Sequence, residues 1–214
     1  MAAPEPDGPV WEPLCAEVLA MLRTPPQALL AIGSRTTGFA TSDSDYDVFV
    51  IGDDYGQVPE ERRALVARIR GRYAVELDVH GCTHRHAAEY RVFDLAVNAA
   101  LRSGALLFGD LGPLTPCPPL GRLGLVDTCI SAKVLLQERG VPALTHSAWR
   151  TLLLAETLIN DPPDWAGYYA ALKSPHSVEE ERRRARALLG KLKRYRATLP
   201  TTEEDLRLLQ AGRH

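Results

Sequence analysis

Long apolar runs are missing from this chain of 214 residues: no stretch reaches the roughly 18 apolar residues that suggest a membrane-spanning helix, so no membrane span is expected. Cysteine is scarce. Cys15, Cys82, Cys117 and Cys129 contain no Cys-x-x-Cys pair, and the N-terminus, MAAPEPDGPVWEP, has acids and prolines where an export signal has a basic start and an apolar core. The four are therefore expected to be free thiols, and the cytosol is the expected compartment. An excess of either charge is missing too. A formal net charge of -2 gives no global attraction to a polyanion, so nucleic acid is not an expected partner except through a local patch. The 45% hydrophobic and 24% charged content is ordinary for a globular protein, and the length allows one sizeable core or two modest domains.

What is present concentrates in residues 33–47, GSRTTGFATSDSDYD. Before it, ALLAIG is a short apolar run ending in Gly33 and reads as a buried strand. At Gly33-Ser34 a glycine lets the main chain approach a ligand, and a hydroxyl and several N–H groups face an anion such as phosphate. Downstream, Asp45 and Asp47 stand two apart at the mouth of the strand YDVFVI, where alternation puts both carboxylates on one face. Two adjacent acids repel unless a cation lies between them, and oxygen pairs of this kind suit Mg²⁺ shared with substrate phosphates. Phosphoryl or nucleotidyl transfer is the chemistry these residues favour. Taken alone, paired aspartates are as often turn formers.

The combination of a glycine-serine turn and a later Asp-x-Asp resembles the nucleotidyltransferase superfamily of DNA polymerase beta, and within it the minimal nucleotidyltransferases. The resemblance covers about residues 28–108, with Gly38 matching a small residue of that loop. It implies that Gly33 and Ser34 hold the triphosphate of a nucleotide, and that Asp45, Asp47 and a third acid hold two divalent metals, Mg²⁺ or alternatively Mn²⁺. ATP is the first candidate among the nucleoside triphosphates. The third acid is sought in YAVELDVH, residues 73–80, which alternates as a strand with Glu76, Asp78 and His80 on one face. Asp78 best matches the resemblance and Glu76 is the alternative. Asp78 would complete the metal site and accept the proton of the attacking hydroxyl.

Around this centre Arg35, Thr36, Thr37 and Ser44 are candidates for phosphate contacts, and Ser42 and Ser44 equally for local bonds that shape the loop. His80, Cys82, His84 and His86 have the right atoms for zinc but no familiar spacing, and rimming a loop is the preferred reading. Asp53 and Asp54 read as a solvated turn.

The expected class is α+β: a small mixed-sheet nucleotidyltransferase domain over 10–110 after a disordered lead at 1–9, a Pro/Gly-rich linker at 111–121, and a helical bundle over 122–214. Helices are expected at 11–23, 59–70 and 88–103, the last with Val92, Leu95, Ala96, Ala99 and Ala100 on one side. In the second half they are expected at 122–140 with Val126, Ile130 and Val134 inward, at 146–160 with Thr145 as cap, at 164–172, and at 178–197 with Ser177 and Glu180 as a capping box. Ala185, Leu188, Leu192 and Tyr195 form the stripe of that helix. A further start is expected at Thr201 with Glu204.

The second half resembles the helical HEPN domains that accompany minimal nucleotidyltransferases. Arg139 and His146 approximate the arginine and histidine of the ribonucleases among them, but Gly140 and Pro142 depart from that pattern. The basic run from Arg182 to Arg196 reads as a solvated face, and Trp165, Tyr168 and Tyr169 as either packing or a cover for a substrate. Two functions follow. One is transfer of a nucleoside monophosphate to the hydroxyl of a small molecule, such as an antibiotic, or of a protein. The other is an antitoxin-like or regulatory module that caps or modifies a partner protein.

Overall fold

A computed structural model describes residues 10–138, 141–174, 177–203 and 205. The expected disorder at 1–9, and Arg139, Gly140 and Glu204, lie outside them. The protein is α+β, and its described residues form one four-stranded mixed sheet and helices that outnumber the strands. It divides into two compact units. The first comprises Met1–Glu89 and Ala99–Cys117, the second Tyr90–Asn98 and Pro118–His214.

In the first unit the sheet order is β3-β2-β1-β4, with β1 (Ala28–Ile32), β2 (Tyr46–Ile51), β3 (Leu77–Cys82) and β4 (Ala105–Gly109). β1 pairs antiparallel with β2 and β4, whereas β2 pairs parallel with β3. Alternation explains the layers. Leu29 and Ala31, Val48 and Val50, and Leu77 and Val79 join one core with Trp11, Leu14 and Val18 of α1 (Trp11–Met21) and Leu65 and Ile69 of α3 (Pro59–Tyr73). Trp11 is a core residue, edge-on to Tyr46 at 4.9 Å. Leu30, Phe49 and Ile51 are buried on the opposite face, which is why β1 and β2 read as continuous apolar runs. β3 lies at an edge and alternates buried with exposed, so its polar positions, Asp78 and His80, stay open.

Several expectations need correction. The helix expected over 88–103 is two, α4 (His84–Tyr90) and α5 (Leu95–Ser103). Asp94 Oδ1 accepts the N–H groups of Ala96 and Val97 at 2.9 and 3.1 Å and so starts the second. That helix buries Val97, Ala100 and Leu101, while Ala96 is exposed. Asp54 is not solvated: it is buried, and its Oδ2 accepts the N–H groups of Arg23 and Thr24 at 2.8 and 2.9 Å. An aspartate next to a strand end can cap another element's free N–H groups, which local sequence does not reveal.

The second unit packs α6 (Arg122–Gln137), α7 (Pro142–Leu158) and α9 (Val178–Thr198) on one another, with α8 (Trp165–Lys173) against α7. The α6 stripe is reversed. Leu125, Cys129, Ala132 and Leu136 face the bundle, and Ile130 and Val134 are 57% and 54% exposed. Helix α7 starts at Pro142 and not after Thr145. Proline loses nothing at a first helical position, and Thr145 is buried in the first turns, accepting from Arg182 at 3.0 Å. Ser177 caps α9 through the Glu180 N–H at 3.2 Å, and Ala185, Leu188 and Leu192 are buried, but Tyr195 is exposed. Thr202, not Thr201, makes the last cap, exchanging bonds with Asp205 at 2.8 to 3.0 Å.

All four cysteines are free thiols. Burial pushes the Cys15 and Cys129 thiols above their ordinary range, which lowers the thiolate fraction at any given pH. With an aromatic disulfide reagent at pH 8, Cys129 should react on the order of 100-fold more slowly in the native chain than in denaturant, because α6 must open first. Equal rates measured by peptide mapping would contradict its place in the bundle. Among the described residues no helix is long and apolar enough to cross a membrane.

Candidate metal centre

β1 ends at Ile32, whose partner on β2 is Asp47, and the chain then turns at Gly33 into the one-turn helix α2 (Ser34–Thr37). Gly33 has φ 82 and ψ -155, a region essentially closed to side chains. A Cβ there would lie 2.3 Å from Asp47 Oδ2, so the absent side chain is what admits the carboxylate to the turn. Gly38 closes α2 at φ 80, donating its N–H to the Ser34 carbonyl.

The parallel register pairs Asp47 with Asp78 and Phe49 with His80, so Asp47, Asp78 and His80 project from the same side of adjacent strands. Each offers one ligand atom, and these atoms all lie within 4.8 Å of one another. Asp47 is half-buried; Asp78 and His80 are exposed. Asp45 is two residues before Asp47, exposed, and outside this group of three. Glu76 lies just before β3 and its carboxylate is held by Arg70. Tyr46 donates its N–H to the Glu76 carbonyl at 2.8 Å, which helps fix where β2 and β3 begin.

The loop residues are engaged with the loop itself. Arg35 donates from Nε to the Asp45 carbonyl at 3.1 Å and from its Nη2 to the Ser44 carbonyl, with its guanidinium 3.9 Å above the Tyr46 ring. Thr36 is only 2% exposed, and both Thr36 and Thr37 donate their hydroxyls to the Gly33 carbonyl, at 3.0 and 2.9 Å. Ser44 Oγ accepts the Thr41 N–H at 2.9 Å. These bonds hold the mouth of β2 against the start of α2. Ser34 is half-buried at the first position of that turn.

His80 is the member that sequence reasoning left open, although the signal was present: it is two residues from Asp78 on an alternating strand. The zinc grouping with Cys82, His84 and His86 does not form among the described residues, where His80 turns to the acids instead. His84 and His86 belong to α4.

In the second unit, His146 Nδ1 lies 2.9 Å from Glu181 Oε1. Arg183 and Arg184 pair with Glu180, and Lys191 with Glu156, so part of the basic run is held in surface ion pairs. Such pairs contribute little to stability. Tyr168 and Tyr195 line a cleft of about 460 Å³ with Glu156, Asp164 and Lys191. No family model matches the chain, and neither does any curated protein.

Proposed function

We propose that this chain is a metal-dependent nucleotidyltransferase of the DNA polymerase beta type, moving a nucleoside monophosphate from a nucleoside triphosphate, ATP first, to an acceptor hydroxyl on a small molecule or protein. The single observation that supports it is the meeting of two acids from separate strands, Asp47 and Asp78, against a glycine turn whose missing Cβ makes room for one of them. The donor set fits a divalent cation: carboxylate oxygens and an imidazole within 4.8 Å, in a polar and open position. Asp47 and Asp78 would hold the ion, with Asp45 at the strand mouth for a second. When bound, such ions stabilise charge on the transferring phosphoryl group and its leaving oxygen.

The chain's own residues have separable tasks. Gly33 and Ser34 offer backbone N–H groups and a hydroxyl to the β- and γ-phosphates. Thr36, Thr37, Ser44 and Arg35 keep that turn and the Asp45 segment in one geometry, which is the preorganisation that phosphoryl transfer requires. In the reaction the acceptor oxygen bonds to the α-phosphorus, the bond to the bridging oxygen breaks, pyrophosphate leaves, and the Asp78 carboxylate takes the hydroxyl proton. Calorimetric titration with Mg²⁺ and each of the four nucleoside triphosphates tests the reading. Native protein should bind at least one of them only with the cation, and Asp47→Ala should lose it. Binding that ignores both the cation and Asp47 rejects the transferase.

The α6 stripe favours the second reading, a module that binds a partner protein. Ile130 and Val134 are large apolar side chains exposed one turn apart, with half-buried Val126 in line before them. Ile130→Asp should leave the monomer's Tm within a few degrees, as expected of an exposed site, and abolish any self-association or complex seen by light scattering. An unchanged complex excludes that face.

A further inference from the structure

Asp47 and Asp78 are oxygen ligands, and oxygen ligands alone suit Mg²⁺, Ca²⁺ or Mn²⁺. The third atom of the cluster is nitrogen. We propose that His80 is a ligand in the same metal site, and that this site prefers a transition-metal ion, Mn²⁺ or Zn²⁺, to Mg²⁺. This rests on the reading of Asp47 and Asp78 as metal ligands and adds to it which ion they hold.

Strand geometry makes the case. His80 is two residues from Asp78 on β3 and, in the parallel register, lies one pleat beyond the Asp47–Asp78 pair. The three side chains stand on one face at successive corners of the ladder, an arrangement that sets three ligands on one side of an ion and leaves the other side to substrate and water. Ligands bonded at about 2.1 Å lie roughly 3.0–3.5 Å from one another. The observed upper separation is 4.8 Å, so modest side-chain rotations close the set without moving either strand. The strands themselves are fixed by their other faces, where Val48, Val50, Leu77 and Val79 are buried. Among the described residues the His80 ring makes no hydrogen bond to the protein, so no structural partner competes for its nitrogens. The alternative ligand on this strand, Cys82, is not in the group.

Imidazole changes the order of preference. It suits zinc, iron, nickel and copper, and affinity for nitrogen-containing sites rises from Mn²⁺ to Cu²⁺ before falling at Zn²⁺, whereas Mg²⁺ gains little from it. The full-length chain, without nucleotide, is titrated calorimetrically with Mn²⁺, Zn²⁺ and Mg²⁺ as native protein, His80→Ala, His80→Asn and Asp78→Asn. Electron spin-echo spectroscopy of the Mn²⁺ samples reads nitrogen coordination directly. His80 is exposed, so both His80 variants should keep native circular dichroism. The expected result is roughly a 10- to 100-fold weaker Zn²⁺ or Mn²⁺ in both, less than about a 3-fold change for Mg²⁺, and loss of the ¹⁴N modulation present in the native sample.

Mn²⁺ and Zn²⁺ bound as tightly by His80→Ala as by native protein, with no nitrogen modulation in either, overturns the proposal. If Asp78→Asn still abolishes binding in that case, the carboxylate site and the transferase reading survive without His80. If native protein binds none of the three ions, this proposal falls, and the transferase reading is decided by the titration with nucleoside triphosphates present.

Discussion

Asp47→Asn is expected to reduce nucleotidyl transfer by about a thousandfold or more, a loss of about 4 kcal/mol of transition-state stabilisation, while leaving the fold intact. Asp47 is the hinge of the centre. It faces Asp78 across the parallel ladder, and its carboxylate fills the space left by Gly33. Its neighbours Tyr46 and Val48 are buried, so the strand holds its position by packing whichever amide or acid stands at 47. Two like charges within 4.8 Å repel, by about 1 kcal/mol at 4 Å in a water-like dielectric. The amide relieves that repulsion and is close to the carboxylate in size, so the metal-free variant should melt within a few degrees of native protein.

The native chain should gain Tm with added Mn²⁺ or Mg²⁺, rising with the logarithm of the free cation above its Kd, and Asp47→Asn should not. Asp45→Asn is the informative comparison. It is exposed and outside the close group, and it holds Arg35 through its carbonyl, so the cation response without nucleotide should largely persist. Scanning calorimetry with and without cation, beside a pyrophosphate-release assay, reads all of these. An Asp47→Asn chain that melts lower yet keeps the full cation response would assign the carboxylate to the turn and not to a metal.

The sheet was legible because its signals are local. Apolar runs bounded by glycine and aspartate located β1 and β2, and the alternation of Leu77, Asp78, Val79 and His80 located the exposed side of β3. What could not be read was pairing. Asp45 and Asp47 are two apart and look like the natural couple, but the carboxylate grouped with Asp47 and His80 comes from the neighbouring strand, through a register that no local pattern encodes. Thr36 shows the same limit at smaller scale: a hydroxyl after a glycine-serine turn can face a phosphate or bond back to the turn, and here it bonds back.

The helical half failed where two stripes compete. On α6, Val126, Ile130 and Val134 are more apolar than the face that is buried, Leu125, Cys129, Ala132 and Leu136, but small residues let helices approach, and Ala132 and Gly124 lie on the buried side. Periodicity finds both stripes and cannot rank them by fit. Helix starts were read well at α8 and α9, which Asp164 and Ser177 cap, and missed at α5, where the Asp94 cap falls inside a run that reads as one continuous helix. They were misplaced at α7, where Pro142 starts the helix before a threonine that looks like a cap.

Gly33→Ala should cost about 1–3 kcal/mol of stability and should also weaken cation binding, although residue 33 supplies no ligand atom. Two penalties combine. A methyl group at φ 82 and ψ -155 strains the backbone, and it lies 2.3 Å from Asp47 Oδ2 and 3.1 Å from Asp47 Cγ, so the carboxylate must swing away from Asp78 and His80. A double-mutant cycle separates them. With Asp47→Ala only Cβ remains, 3.4 Å from the new methyl, an ordinary contact, so the steric part disappears and the backbone part stays. The two substitutions should then be less damaging together than their sum, with a coupling of about 0.5–3 kcal/mol in urea unfolding. Gly38→Ala is the control for strain alone: its φ is 80 but nothing lies within 4 Å of the added methyl, so it should destabilise by about 1 kcal/mol and leave cation binding unchanged. Strict additivity between positions 33 and 47, with cation affinity unaltered in Gly33→Ala, would mean that the carboxylate does not lie in the turn, and the metal centre would lose the contact that orients it.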